Sequence, residues 1–364
     1  MQQWLVASVI GVAGLIGNAQ AGYAELVFFG DSISDTGNVR SLTIAGGSPN
    51  PFPSFPGALG RFSNGKVWTE YLAEGLGFPA NANPSNLIFN GTAAVPIGPP
   101  TGGQNFSFGG ARTLLDGAAG RGTGLFAQLL AWDGTASVFS TGALTRAANP
   151  DALYVVLAGA NDLRDARADA TLDVLERAQA AAKTAENIKN VLALLAQAGA
   201  RHFLISSLPD LGKTPEAVLL GKTSESTEVT LAFNTALGLF SAGLDASFLG
   251  GGIDLDIRTM DFYGLNEALV DDARNNGGAK YGITNVSTPC INPVAPGRYF
   301  FPGSTDINCD ISAYSDPLHP SAASHRLIGQ LALNTAIPEP GSMALVLLGV
   351  VMVAGLRRRS LATA

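Results

Sequence analysis

A serine that follows a short apolar stretch is the first residue whose setting suggests chemistry. Residues 26–29 are apolar, and the chain continues through Gly30 and Asp31 to Ser32. A hydroxyl at the turn between a strand and a helix lies at the edge of a crevice and near a helix N-terminus. Taken alone, Ser32 would be interpreted as a helix N-cap, so a nucleophilic role requires a base elsewhere in the chain.

The base is sought among the three histidines of the chain, His202, His319 and His325. His202 opens a predicted strand and His325 lies in a predicted helix, so we interpret both as packing or surface residues. His319 stands three residues after Asp316 in a proline-stiffened turn. A carboxylate at this spacing can fix the tautomer of the imidazole and stabilise the imidazolium. The pattern therefore indicates acyl transfer, with His319 as the candidate base.

Acyl transfer also needs hydrogen-bond donors for the oxyanion that forms on the substrate. Two stretches offer them: residues 103–111, which include the adjacent glycines Gly109 and Gly110, and residues 159–162, which follow a predicted strand. Glycine allows a close approach of the backbone, and Asn161 adds a side-chain amide. Each stretch by itself is also compatible with an ordinary turn.

The elements that must position these groups alternate between strands and helices. Strands are predicted over residues 25–29, 152–157, 202–206 and 253–258. The first three are nearly continuous apolar runs, as in parallel strands buried on both faces, whereas the fourth alternates and suits a sheet edge. Helices are predicted over about 125–132, 172–198, 228–248 and 321–334. This order predicts one α/β domain with a doubly wound sheet and its crevice at the carboxyl ends of the strands.

Three long segments, residues 43–60, 79–103 and 276–310, are predicted to be surface loops that wall this crevice. Apolar residues also mark one face of the helix at 172–198, beginning with Leu172 and Leu175. Aromatic residues of the loops hint at an apolar acyl pocket: Phe52, Phe55, Phe89, Phe300 and Phe301.

Composition excludes several classes of protein. The chain has 364 residues, of which 46% are apolar and 14% charged, which excludes extensive disorder. The net charge of −7 disfavours nucleic-acid binding. Residues 60–66 have the spacing of a phosphate-binding loop, but Val67 stands where such loops need Ser or Thr. Asp31 and Asp35 have no partnering His or carboxylate cluster in the sequence, and we expect neither a metal nor an organic cofactor.

Both ends of the chain are predicted to be sorting segments. Residues 1–21 combine an apolar run with a small-residue site, which is typical of a secretory signal peptide, with cleavage after Ala21 or Ala24. Residues 22–336 are then the folded domain, and residues 337–364 a tail in which an apolar run precedes three arginines. The tail begins with a Pro-Glu-Pro motif, residues 338–340, and this motif followed by the apolar run and the basic end resembles the PEP-CTERM signal of Gram-negative bacteria. The resemblance implies recognition by an exosortase-type enzyme and delivery to the cell surface or matrix; a plain membrane anchor is the alternative.

The two cysteines, Cys290 and Cys309, agree with export because they lie 19 positions apart in a Pro- and Gly-rich loop. We predict a disulfide that closes this loop, stabilising the protein by about 3 kcal/mol in an oxidising compartment. A metal site is disfavoured, since no His or second Cys pair lies nearby.

The stretches around Ser32, residues 103–111, residues 159–162 and His319 together resemble the blocks of the GDSL family of SGNH hydrolases, in its lipase-like branch. The resemblance covers roughly residues 25–334. It implies a flavodoxin-like three-layer sandwich with a central parallel sheet. It also implies Ser32 as nucleophile, His319 as base and Asp316 as the residue that orients His319.

The same resemblance implies an oxyanion hole formed by the backbone N–H groups of Ser32 and Gly110 and the side chain of Asn161. Gly109 is the neighbouring alternative for the middle donor. The expected activity is hydrolysis of small-molecule or lipid carboxylic esters. Two other readings stay open: a deacetylase of matrix polysaccharide, and a matrix-binding protein that keeps the fold without catalysis.

Overall fold

Four parallel strands form the central sheet of the computed structural model, which describes residues 22–55, 57–291 and 307–337. The strands, in chain order, are β1 (Glu25–Gly30), β2 (Leu87–Phe89), β3 (Ala94–Pro96), β4 (Asp116–Gly117), β5 (Gly120–Arg121), β6 (Ala152–Leu157), β7 (His202–Ser206) and β8 (Asp256–Met260). The central sheet has the order β1-β6-β7-β8, and β2–β3 and β4–β5 are small antiparallel pairs. The predicted α/β fold with a parallel sheet is confirmed.

The strand predictions hold where the apolar run is continuous. β6 and β7 have the predicted bounds, and β1 is one residue longer than predicted. The prediction for β8 is wrong at both ends, because the strand begins three residues later and ends two residues later than predicted. At its start, the N–H of Ile253 donates to the carbonyl of Phe248 (3.0 Å) and so completes the end of the preceding helix. β8 lies at the sheet edge and is partly exposed, as its alternating pattern predicts.

A further extended segment, residues 104–108, lies beside the free edge of β1. The N–H of Phe28 donates to the carbonyl of Gln104 (3.0 Å), and the N–H of Phe106 donates back to the carbonyl of Phe28 (2.8 Å). The N–H of Phe108 then donates to the carbonyl of Gly30 (3.2 Å). Residues 104–108 therefore lie on one side of β1 and β6 lies on the other. The carboxyl ends of β1 and β6 are thus the topological switch point, where ligands bind in sheets of this kind.

Ten α-helices connect and cover the strands in the described residues. They are α1 (Asn38–Ala45), α2 (Trp68–Leu76), α3 (Leu125–Asp133), α4 (Val138–Thr141), α5 (Ala160–Ala168), α6 (Val174–Ala198), α7 (Pro215–Leu219), α8 (Thr223–Gly250), α9 (Phe262–Asn275) and α10 (Ala322–Ala336). α6 and α8 pack along each other, and α2 packs on α10, where Gly75 faces Leu333. The connection from β1 to residues 104–108 contains α2, whereas the connections β6–β7 and β7–β8, which run in the opposite direction across the sheet, contain α6 and α8. Because such crossovers are right-handed, α2 lies on the opposite face of the sheet from α6 and α8, which gives three layers.

The predicted apolar face of α6 is correct only over its second half. Ile188, Leu192 and Leu195 are buried, whereas Leu175 is 64% exposed. A helix of 25 residues is about 37 Å long, against about 20 Å for a six-residue strand. The first turns of α6 therefore extend beyond the sheet and have no core beneath them.

The predicted loop at residues 79–103 is more ordered than expected, because it contains a short 3-10 helix (Pro79–Ala82) as well as β2 and β3. Tyr23–Thr335 form one compact unit. The predicted signal peptide at 1–21, and all of the predicted sorting tail except residue 337, lie outside the described residues.

Candidate active site

Ser32 is held in a tight turn directly after β1. Gly30 permits this turn, since a Cβ there would lie 2.4 Å from the carbonyl oxygen of Leu157. The Asp31 carboxylate accepts the N–H of Ile33 (3.0 Å), which closes the turn around the serine. The Ser32 N–H has no hydrogen-bond acceptor within the described part of the chain. Local backbone geometry thus presents both the hydroxyl and the N–H of this residue at the crevice.

His319 connects Ser32 to Asp316 through two hydrogen bonds. Its Nε2 lies 2.8 Å from Ser32 Oγ, and its Nδ1 lies 2.6 Å from Asp316 Oδ2. The second carboxylate oxygen of Asp316 accepts the backbone N–H groups of Leu318 (2.8 Å) and His319 (2.7 Å). Burial raises the pKa of Asp316, but the charge of His319 and these hydrogen bonds outweigh burial, so that the pKa lies below its usual range. Asp316 is therefore held as a carboxylate that orients the imidazole.

The two other histidines lie apart from this chain of hydrogen bonds. His202 begins β7, at the end of the sheet opposite Ser32, and its Nδ1 lies 3.3 Å from Asp256. His325 is buried in α10, and burial lowers its pKa to about 3, so it is neutral. Its Nδ1 accepts the N–H of Trp68 (3.3 Å), which joins α10 to α2.

The two adjacent glycines of residues 103–111 have different surroundings. The N–H of Gly109 donates to Asp35 Oδ2 (2.9 Å). Gly110 has a left-handed backbone (φ +76°), and its N–H has no acceptor within residues 22–55, 57–291 and 307–337. Gly110 and Ser32 both line a groove of about 700 Å³ that opens beside His319. Of the two candidates, Gly110 is therefore the one whose N–H is available to a substrate oxygen.

Asn161 lies in the first turn of α5, directly after β6, and is buried at the same groove. One N–H of its side-chain amide donates to the carbonyl of Ala111 (2.9 Å). Its Oδ1 accepts an N–H of Arg164 (3.1 Å), which itself makes two bonds to Glu216 (2.9 and 2.5 Å). The sequence patterns do not identify Arg164 or Glu216 as residues of the site. The three-residue spacing from Asn161 places Arg164 on the same helix face, but nothing local identifies its partner.

The two aspartates near Ser32 hold backbone groups. Asp35 accepts N–H groups from Gly37, Asn38 and Gly109 at 2.7 to 2.9 Å, and so ties α1 to the glycine loop. Burial raises the pKa of Asp35 to about 6 in spite of these bonds, and burial also raises the pKa of Asp31 to about 6. Within the described residues, no three His, Cys, Asp or Glu side chains are grouped to hold a metal ion.

Two cavities open beside Ser32 and His319. The larger is a groove of about 700 Å³, which also borders Gly110, Asn161 and Arg164. Its apolar wall is formed by Val39, Leu42, Phe52, Phe62, Ile88, Ala118 and Ala119. The smaller cavity, of about 50 Å³, lies between Ser32, α9 and α10. The groove has the size of sites for small-molecule ligands, which are about 300–1,000 Å³.

The phenylalanines proposed from the sequence as pocket residues are only partly in place. Phe52 lines the groove, whereas Phe55 and Phe89 are buried elsewhere. Phe300 and Phe301 lie outside the described residues. Phe62, which the sequence analysis did not select, contacts the imidazole of His319 with its ring centre 5.1 Å away.

The structure contains the disulfide between Cys290 and Cys309, with a Cα–Cα distance of 5.1 Å. The N–H of Cys290 donates to the carbonyl of Tyr314 (3.0 Å), and the N–H of Ile291 donates to that of Ser315 (2.9 Å). These two hydrogen bonds tie the segment at Cys290, which the disulfide links to Cys309, to the segment that leads into Asp316.

The sequence matches the GDSL-like lipase/acylhydrolase family over residues 26–332. It is similar to a thermolabile hemolysin of Vibrio parahaemolyticus, with 25% identity over 86% of this chain and 63% of that protein, so the chain spans less than two thirds of the hemolysin.

It is also similar to a GDSL esterase/lipase of Arabidopsis thaliana, with 26% identity over 86% of this chain and 90% of that one. A member of the lipolytic protein G-D-S-L family from Veillonella parvula aligns with a TM-score of 0.36 and 15% identity, over 85% of this chain and 96% of that one. Since the family match extends over most of its length, the chain belongs to the GDSL-like lipase/acylhydrolase family.

Proposed function

We propose that this protein is a serine ester hydrolase with Ser32 as nucleophile, His319 as general base and Asp316 as the group that orients His319. The observation that carries the proposal is the continuous hydrogen-bonded series from Ser32 Oγ to His319 Nε2 (2.8 Å) and from His319 Nδ1 to Asp316 (2.6 Å). A nucleophile, a base and an orienting carboxylate in this geometry are the requirements of acyl transfer.

The reaction proceeds in two halves. His319 Nε2 takes the proton of Ser32 as its Oγ attacks the ester carbonyl, and the resulting oxyanion accepts hydrogen bonds from the N–H groups of Ser32 and Gly110 and from Asn161. Collapse breaks the bond to the alcohol, which leaves with the proton from His319, and an acyl ester remains on Ser32. Water then attacks this ester, with His319 again as base, and releases the acid and free Ser32.

The groove favours esters with an apolar acyl group. Val39 and Phe62 on its wall belong to a buried apolar cluster, against which Leu42, Phe52 and Ile88 pack. Each acyl methylene removed from water here contributes about 0.8 kcal/mol. The names of the related proteins, an esterase/lipase and a hemolysin, are consistent with lipid esters. The deacetylase of matrix polysaccharide is the alternative substrate class, and a non-catalytic matrix-binding protein is the alternative without chemistry.

We further propose that the enzyme acts outside the cytoplasm. The disulfide between Cys290 and Cys309 is compatible with an oxidising compartment. A signal peptide at 1–21, surface delivery through the tail at 337–364, and an exosortase-type partner remain predictions from the sequence.

The proposal is tested by hydrolysis of p-nitrophenyl esters, from acetyl to palmitoyl, with the purified full-length protein. We expect Ser32→Ala to lower kcat by about 10⁴-fold or more. Ser34→Ala is the matched control, because the Ser34 hydroxyl lies in the same turn but accepts from Trp68 (3.1 Å) instead of His319. Equal activity of Ser32→Ala and wild type would disprove the nucleophile. Turnover of acetyl esters alone would favour the deacetylase, and no turnover of any ester would favour the binding protein.

A further inference from the structure

Arg164 and Glu216, which have no role in the proposed reaction, form a partly buried polar network with Asn161, the proposed oxyanion donor. Its Nε and one terminal nitrogen bind the two oxygens of Glu216 (2.9 and 2.5 Å), and the other terminal nitrogen donates to Asn161 Oδ1 (3.1 Å). The side chain is 30% exposed and borders both cavities. The hydrogen bonds of Arg164 thus go to Asn161, the proposed oxyanion donor, and to Glu216, which anchors Arg164.

Glu216 is fixed from several sides, which makes it a firm anchor. Its side chain is only 4% exposed and also pairs with Arg167, which is equally buried and donates in turn to Ser226 (2.8 Å). Its backbone N–H donates to the carbonyl of Pro317 (2.8 Å), between Asp316 and His319. Glu216 therefore touches both the loop of the base and, through Arg164, the side chain of Asn161.

The hydrogen bonds of Asn161 define which way its amide points. Arg164 can only donate, so it selects the carbonyl oxygen of the amide, while the carbonyl of Ala111 can only accept and selects the nitrogen. With one amide proton on Ala111, the second has no acceptor within the described residues. If the amide rotated by half a turn, two donors would face each other at Arg164 and two acceptors at Ala111.

We infer that Arg164, anchored by Glu216, is a positioning residue that fixes the side-chain amide of Asn161 as an oxyanion donor. The inference depends on the proposed ester hydrolysis. It assigns Arg164 no contact with the reacting atoms, so that its effect on the rate passes through Asn161. Because a hydrogen bond from a charged donor is lost, Arg164→Met should lower kcat about tenfold with little change in KM.

A double-mutant cycle separates this role from a merely structural one. Asn161→Ala should lower kcat by about 10²–10³-fold. Arg164→Met should cost about tenfold in wild type but less than twofold when Asn161 is already alanine. An alkylboronic acid forms an anionic tetrahedral adduct on the serine. In the Arg164→Met and Asn161→Ala variants, the affinity for this acid should fall in parallel with kcat. Arg164→Lys should not restore the rate, because an ammonium cannot hold Glu216 in two bonds and reach the amide as well.

The matched control is Arg112→Met. Arg112 pairs with Asp165 of α5, but its side chain makes no hydrogen bond to Asn161 and borders neither cavity, so kcat should stay within about twofold. Thermal unfolding of every variant shows whether it is folded.

A tenfold loss from Arg164→Met in both backgrounds, or no loss in wild type, would overturn the inference. If Asn161→Ala were fully active while Ser32→Ala was dead, the oxyanion role of Asn161 and this inference would fail together, and the nucleophile would stand.

Discussion

Replacing Asp316 with asparagine tests the orientation of the base more sharply than deletion of any whole side chain. In the wild type, Asp316 Oδ1 accepts the N–H groups of Leu318 (2.8 Å) and His319 (2.7 Å). The Oδ1 of the asparagine can accept the same two N–H groups, so the loop keeps its conformation. The amide nitrogen, however, replaces the oxygen that lies 2.6 Å from His319 Nδ1. Because the amide donates, Nδ1 must accept, and the proton of the neutral imidazole moves to Nε2. In that tautomer His319 cannot take the proton of Ser32.

The size of the effect follows from two losses. The charge-assisted hydrogen bond to the imidazolium contributes about 1.5–3 kcal/mol, and returning His319 to the active tautomer leaves a buried donor unpaired, which costs about 1–3 kcal/mol. The sum, about 2.5–6 kcal/mol, corresponds to a fall in kcat of about 10²–10⁴-fold. KM should change little, since Asp316 lies behind His319, away from Ser32.

The assay is steady-state hydrolysis of one p-nitrophenyl ester by wild type, Asp316→Asn and Asp310→Asn. Asp310 undergoes the same chemical change at an exposed position six residues earlier, so its variant should behave as wild type. Thermal unfolding checks that Asp316→Asn is folded. If folded Asp316→Asn kept more than a tenth of the wild-type kcat, the tautomer argument would be refuted, and Asp316 would be only a residue that shapes the loop.

Two further predictions concern stability and substrate choice. Burial raises the pKa of Asp31 to about 6 in the folded protein, against about 3.9 in an unfolded chain. Between about pH 3.9 and pH 6 the folded state therefore binds more protons than the unfolded state, so the free energy of unfolding falls as the pH rises through this range. In chemical denaturation, the unfolding free energy of Asp31→Asn relative to wild type should therefore rise by about 2–3 kcal/mol from pH 4 to pH 8; a constant difference would contradict the raised pKa. Ile88 lies on the apolar wall of the groove, and the larger side chain of Ile88→Trp should exclude about three acyl methylenes from the groove. The kcat/KM for palmitoyl esters should then fall about 50-fold, and the kcat/KM for acetyl esters should stay nearly unchanged. An equal loss for both esters would place the acyl chain elsewhere.

The sequence predicts best what depends on local patterns. The pattern predicts the exact first and last residues of β6 and β7. Each is a nearly continuous apolar run, and such a run is stable as a strand only when both of its faces are buried. The three-residue spacing of Asp316 and His319 is likewise local, and the structure brings that pair to Ser32. The disulfide was predictable because the chain has only two cysteines.

What the sequence could not provide depends on contacts between distant segments. Residues 104–108 pair with β1, yet only Phe106 and Phe108 are apolar, and the glycines on either side of this short segment are typical of a loop. Arg164 and Glu216 are 52 positions apart, and either could have formed a surface ion pair with another partner. Leu175 belongs to the apolar face that periodicity predicts for α6 but is exposed, because periodicity reveals which residues share a helix face and not how far the sheet extends beneath them.

The parts of the candidate site are held in two different ways, and this division explains the network around Glu216. Ser32, Gly110 and Asn161 each follow an extended segment of one sheet, so the hydrogen-bond register of that sheet fixes their relative positions. His319 comes from a loop outside the sheet, and its position depends on hydrogen bonds to other loops.

One of those bonds runs from the N–H of Glu216 to Pro317, beside the base, while the Glu216 side chain holds Arg164 against Asn161. Glu216 thus connects Asn161, whose position the sheet fixes, to the loop that carries His319. A displacement of α7 would therefore disturb both His319, the proposed base, and Asn161, the proposed oxyanion donor, although neither residue lies on that helix.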